Sequence, residues 1–131
     1  MERPNVELIR DLYEARARGD LEAVRPVLAE DVLWHEPKVN SEHTGDLRGA
    51  DAVLGMIREA RKLTDGTFEL RLTEAVEHGE QVVALVDWSS TRRGKALEGK
   101  EIGVYRVRGG EVVEVWLHPD NLQHDEEFWT S

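Results

Sequence analysis

The hydrophobic spacing of this chain changes once, near Thr67, and that change limits the fold more than any other feature. Before it, apolar residues recur every three or four positions. After it, they recur every second position. The first period buries one stripe of a helix and the second buries one face of a strand. Helices gathered early and strands gathered late indicate an α+β domain, with helices laid on one face of a mainly antiparallel sheet.

The helical half reads in three pieces. NVELIRDLYEARAR, 5–18, carries Val6, Ile9, Leu12 and Tyr13 on one face and charges on the other. Gly19 is placed to end that helix. Asp20 then caps a short second helix, LEAVRPVLA, which Pro26 should kink or shorten. DVLWHEP, 31–37, is a short strand stopped by Pro37, followed by a loop with Asn40, His43 and Gly45. GADAVLGMIREARKL is the third helix, with Val53, Leu54, Ile57 and Ala60 facing inward. Four strands follow, TFELRLTEAVE, QVVALVDWSSTRRG, ALEGKEIGVYRV and EVVEVWLHP. His78-Gly79-Glu80 and Arg108-Gly109-Gly110 supply hairpin turns. A curved sheet covered by helices leaves a cone-shaped pocket, suited to a small hydrophobic molecule with a few fixed polar groups.

Composition narrows the functions. At 131 residues the chain reads as one domain, 1–131, around one core. A net charge of −10 argues against nucleic acid and against an anionic membrane surface. The absence of cysteine excludes disulfides, thiolate metal sites and cysteine nucleophiles. MERPNVELIR has no apolar signal region and no long apolar run follows, so a cytoplasmic protein is expected. His118, Asp120, His124 and Asp125 cluster in sequence but lack a metal-ligand spacing such as HExxH. No metal and no cofactor are expected.

LYEARARGDLEAV, EDVLWHEP, GDLRGADAV and YRVRGGEVVEVW, in that order, resemble the NTF2-like superfamily. The pattern is most similar to its SnoaL-like and ketosteroid-isomerase-like branch, over nearly the whole chain. The resemblance implies a cone-shaped fold, usually dimeric, with a pocket between sheet and helices. It fixes no reaction, because the fold hosts isomerases, cyclases, hydrolases, dehydratases and simple binders. In the ketosteroid isomerases the general base is a carboxylate just before a proline at the end of the first strand. Glu36 stands at that position. Their two oxyanion donors, a tyrosine on the first helix and an aspartic acid on a late strand, fall on Leu12 and Gly103. Tyr13 is one residue on, about 100° around the helix. Oxyanion stabilisation is usually the largest catalytic contribution, so a classical ketosteroid isomerase is disfavoured. In the polyketide cyclases the acid/base aspartate follows the last long strand, and Asp120 matches it. An epoxide-hydrolase set would draw on Asp87, Arg106 and Asp120, whose spacing fits that pattern less well.

The resemblance thus implies Asp120 as general base, with Glu36 or His118 as its partner, in cofactor-free proton transfer: cyclisation, isomerisation or dehydration. Asp120 also fits a turn after Pro119, and Glu36 an exposed strand edge. Trp34 shares strand phase with Glu36, so His35 should face the other way. Trp34, Met56 and Trp88, with Leu12, Val115 and Leu117, are the expected pocket lining. On the last strand Val113, Val115 and Leu117 form an aliphatic face, and Glu114, Trp116 and His118 an amphipathic one. The amphipathic face suits a homodimer interface, which competes with a pocket role for His118. LQHDEEFW is expected to be ordered, pinned by Phe128 and Trp129. The reading from a different class is a non-catalytic ligand-binding or scaffold protein.

Overall fold

Helix α1 (Asn5–Arg18) forms where the 3.6-residue period ends in a glycine, and it buries Ile9, Leu12, Tyr13, Ala15 and Arg16. Gly19 closes it in the left-handed region, at φ 69°, where a side chain would be strained. Asp20 caps α2 (Leu21–Val24), its carboxylate accepting the Ala23 N–H at 3.1 Å. Pro26 then ends the helix: Arg25–Val27 is a 3₁₀ turn and the chain enters β1 (Leu28–His35) at once. The first strand therefore starts three residues before the predicted Asp31. These features belong to a computed structural model, which describes residues 4–36, 45–120 and 127. Asn40, His43, Phe128 and Trp129 lie outside the described residues.

β2 (Asp46–Arg48) falls where the sequence predicts a loop. Three residues are too few to display a period of two. It pairs antiparallel with β1, Trp34 opposite Leu47. Gly49, at φ 93°, turns the chain into α3 (Ala50–Leu63), which buries Val53, Leu54, Met56 and Ile57. β3 (Glu69–His78), β4 (Gln81–Arg92), β5 (Lys95–Arg108) and β6 (Glu111–Pro119) form an antiparallel meander. The described strands make one mixed sheet, ordered β2-β1-β6-β5-β4-β3, and β1 joins β6 in parallel.

Alternation sorts the two faces. Val32 and Trp34, Val82, Ala84 and Val86, Tyr105 and Val107 point inward with α1 and α3 against them, in one core. On β6 a register shift opposite Arg106 and Val107 makes Val113 the extra residue. Val112, Val115 and Leu117 are buried, while Val113, expected inward, is only partly so. The outer face leaves Val83, Leu85 and Ile102 exposed at 37, 37 and 45%. Among the described residues no helix is long and apolar enough to cross a membrane.

Candidate active site

The end of β1 carries the first component. Its alternation turns Trp34 and Glu36 inward and His35 outward, as the sequence predicts. Trp34 is fully buried, and its indole N–H donates to Glu36 Oε1 at 2.9 Å. The Glu36 backbone N–H donates to the Gly45 carbonyl at 3.0 Å, fixing the strand exit beside β2. Burial pushes the Glu36 carboxyl up from its ordinary value, against the opposing pull of Arg16 and of the Trp34 hydrogen bond. A carboxyl raised in this way exchanges its proton closer to neutrality.

Two tyrosines supply the second component. The buried stripe of α1 turns Tyr13 inward, and Tyr105 points inward from β5. Gly103 makes room for Tyr105: a Cβ on Gly103 would lie 2.7 Å from Tyr105 Cε2. The two hydroxyls hydrogen-bond to each other, and the Tyr105 ring meets Trp34 edge-on at 6.2 Å. Both phenols are pushed up, first by burial. Tyr13 is raised further by Tyr105 and by Glu101; Tyr105 is pulled back in part by Arg16 and by the Tyr13 hydrogen bond. Two neutral hydroxyls hold two protons, and the bond between them occupies one.

These hydroxyls stand close to the two positions where the resemblance places oxyanion donors. Leu12 is core and Gly103 is bare, as the sequence reads, but Tyr13 and Tyr105 bring hydroxyls in from one and two residues away. The signals were present: Tyr13 lies on the predicted apolar stripe, and Tyr105 shares strand phase with Gly103.

Arg16 is the third component, and nothing in the sequence reading singled it out. It is 9% exposed. Its Cζ lies 5.9 Å from the Tyr13 ring centre and 5.8 Å from that of Trp34. Nε and Nη1 are buried and have no hydrogen-bond partner among the described residues.

The other predicted residues divide. Leu12, Met56, Val115 and Leu117 belong to the core that holds Trp34. Trp88 is buried apart from that core, stacked on Phe68 at 5.7 Å and packed over Gly99. Asp120 is exposed, its backbone N–H bonded to the Lys100 carbonyl at 2.8 Å. It borders an open groove of about 480 Å³ with the outward-phase residues Asp87, Ser89 and Lys100. Asp120 and Glu36 therefore lie on opposite faces of the sheet. His118 is exposed on the outer face, paired across the strands with Ile102. A second groove, about 400 Å³, runs between α1 and β3 and reaches Tyr13. Among the described residues no histidine and carboxylate group has the grouping to hold a metal ion.

On the outer face His35 bridges Asp46, at 3.0 Å from Nδ1, and Glu114, at 2.8 Å from Nε2. Those two carboxylates push the His35 ring up from its usual value, Glu114 most. Its ring stacks on Trp116 at 5.7 Å, and Arg106 sits 3.6 Å from Glu114 and 5.5 Å from the Trp116 ring centre.

Three helices on the inner face of a mixed six-stranded sheet, with a polar cluster between them, define an NTF2-like α+β cone. The chain belongs to the SnoaL-like domain family, whose model matches residues 9–115. An uncharacterised protein of Mycobacterium tuberculosis is 29% identical over 128 residues, 95% of each chain. An NTF2-like protein of unknown function from Burkholderia pseudomallei superposes with a TM-score of 0.87 at 28% identity, covering 99% of this chain and 100% of that one. IdmH, a putative polyketide cyclase from Streptomyces antibioticus, superposes at 0.77 with 26% identity over 89% of this chain and 92% of its own.

Proposed function

We propose that this chain is a cofactor-free enzyme that moves a proton on a small hydrophobic organic molecule, in a cyclisation, isomerisation or dehydration, with Glu36 as the proton carrier. One observation carries the reading: an inward carboxylate with a raised proton affinity, held by Trp34, shares the interior with a neutral tyrosine pair. The Glu36 carboxylate removes a proton from carbon beside a carbonyl. The electron pair moves onto the carbonyl oxygen, and the uncommitted hydroxyl of the Tyr13–Tyr105 pair donates a hydrogen bond to it. Returning the proton at another carbon isomerises the ligand; attack of the enolate carbon on a second carbonyl cyclises it. The putative polyketide cyclase among the structural relatives supports this class of chemistry. A second copy over the exposed Val83, Leu85 and Ile102 would complete a homodimer through the outer face.

Deuterium exchange at the acidic C–H of 2-tetralone, followed by NMR, tests the base. The protein should accelerate exchange, and Glu36→Gln should remove about 100- to 10,000-fold of that acceleration. Asp120→Asn should leave it intact. Exchange unchanged in Glu36→Gln but lost in Asp120→Asn would move the chemistry to the outer groove and overturn the reading.

A further inference from the structure

Arg18, Arg25, Arg71, Arg106 and Arg108 all lie at the surface, and each has a carboxylate within ion-pair reach. Arg16, nine-tenths buried, has none among the described residues. Nε carries one N–H and Nη1 carries two, so three charge-bearing donors are shut away from water without an acceptor. An unpaired polar group of this kind is among the costlier things a fold can bury. Ring contacts to Tyr13 and Trp34 offset part of the cost but accept no hydrogen bond of ordinary strength.

The nearest anion does not fill the vacancy. Glu36 attracts Arg16 through space, yet its hydrogen bond goes to the Trp34 indole and it forms no ion pair with the guanidinium. Closing that pair would hold Glu36 firmly ionised and make it a poor base. The interior thus keeps a cation and a carboxylate near each other and unbonded.

We propose that Arg16 receives an oxyanion of the ligand: a carboxylate or enolate oxygen on a small, otherwise apolar molecule. The proposal rests on the interior being the ligand site, and it names the class of ligand that the site takes. A neutral carbonyl would satisfy one donor. An anion answers the charge as well as a donor, in surroundings where both count for more than in water.

The test uses two probes of matched shape, 2-naphthoate and the neutral 2-naphthamide, titrated calorimetrically into the full chain. The protein should bind naphthoate at least about tenfold more tightly than the amide. Arg16→Met should abolish that preference while keeping the amide's affinity. Without ligand, Arg16→Met should melt higher than the parent, because a buried unpaired charge has been replaced by an apolar side chain of similar length. Arg16→Lys, which keeps the charge and loses the planar fork, should retain only part of the preference. Glu36→Gln should leave the preference intact or enlarged, so this test and the 2-tetralone exchange fail independently. Equal affinity for the two probes, no binding of either, or an undiminished preference in Arg16→Met would each overturn the proposal.

Discussion

The two faces of the sheet come from the same strands and treat charge in opposite ways. On β1, His35 faces outward and is bridged by two carboxylates, with a stacked tryptophan and an arginine close by. One residue to either side, Trp34 and Glu36 face inward, where among the described residues Arg16 has no hydrogen-bond partner and the tyrosine hydroxyls bond to each other. Outside, the ions around His35 are neutralised where water could have done the work, so little stability depends on them. Inside, ions are left incomplete where water cannot help. That arrangement costs stability, and the ligand we propose would complete it.

The largest test of the contrast replaces the two tryptophans. Trp34→Ala should cost about 3–5 kcal/mol in chemical denaturation, because the ring is fully buried and holds Glu36. Trp116→Ala should cost about 1 kcal/mol, the worth of a half-buried ring and its stack on His35. Equal costs would erase the distinction between the faces. A smaller effect is expected from Ile102→Glu, which adds a charge to the exposed outer patch: the proposed dimer should dissociate, read by light scattering, while the melting temperature of the monomer barely moves. A monomeric parent would remove the partner from the picture.

The smallest effect concerns pH. His35 is raised in the fold above its ordinary 6.5, chiefly by Glu114 and then Asp46. A raised histidine contributes its stability in full below the unfolded value, and loses it as pH rises through the folded one. Stability measured between about pH 6 and about pH 9 should therefore fall more in the parent than in His35→Asn. Parallel curves would mean that the outer network contributes nothing.

What the sequence discloses depends on whether a residue's role follows from its own neighbours. The 3.6 period, Gly19 and Asp20 give α1 and the start of α2 within a residue, because caps and stripes are local. Trp34 and Glu36 are legible as an inward pair because two residues of strand return to one face. β2 is not legible, since three residues hold no pattern. Arg16 is not legible either: on an amphipathic helix, an arginine bordering the apolar stripe reads as a solvent-facing charge until the tertiary fold buries it. Tyr105 escapes because its importance depends on the bareness of Gly103, a contact between side chain and backbone that spacing does not encode. The facing of Asp120 turns on strand phase beyond Pro119, where the resemblance supplies a position but no direction.

The parallel joint between β1 and β6 has a consequence for how the protein is made. β3 through β6 can zip as hairpins of neighbouring strands, each next to the one before it. β1, which ends at Glu36, is synthesised long before them, yet apart from the three residues of β2 its described partner is a strand that begins at Glu111. Until that strand leaves the ribosome, the segment destined to hold Glu36 has an unpaired edge. The interior around Glu36 is therefore completed late in synthesis, by the same strand that completes the sheet.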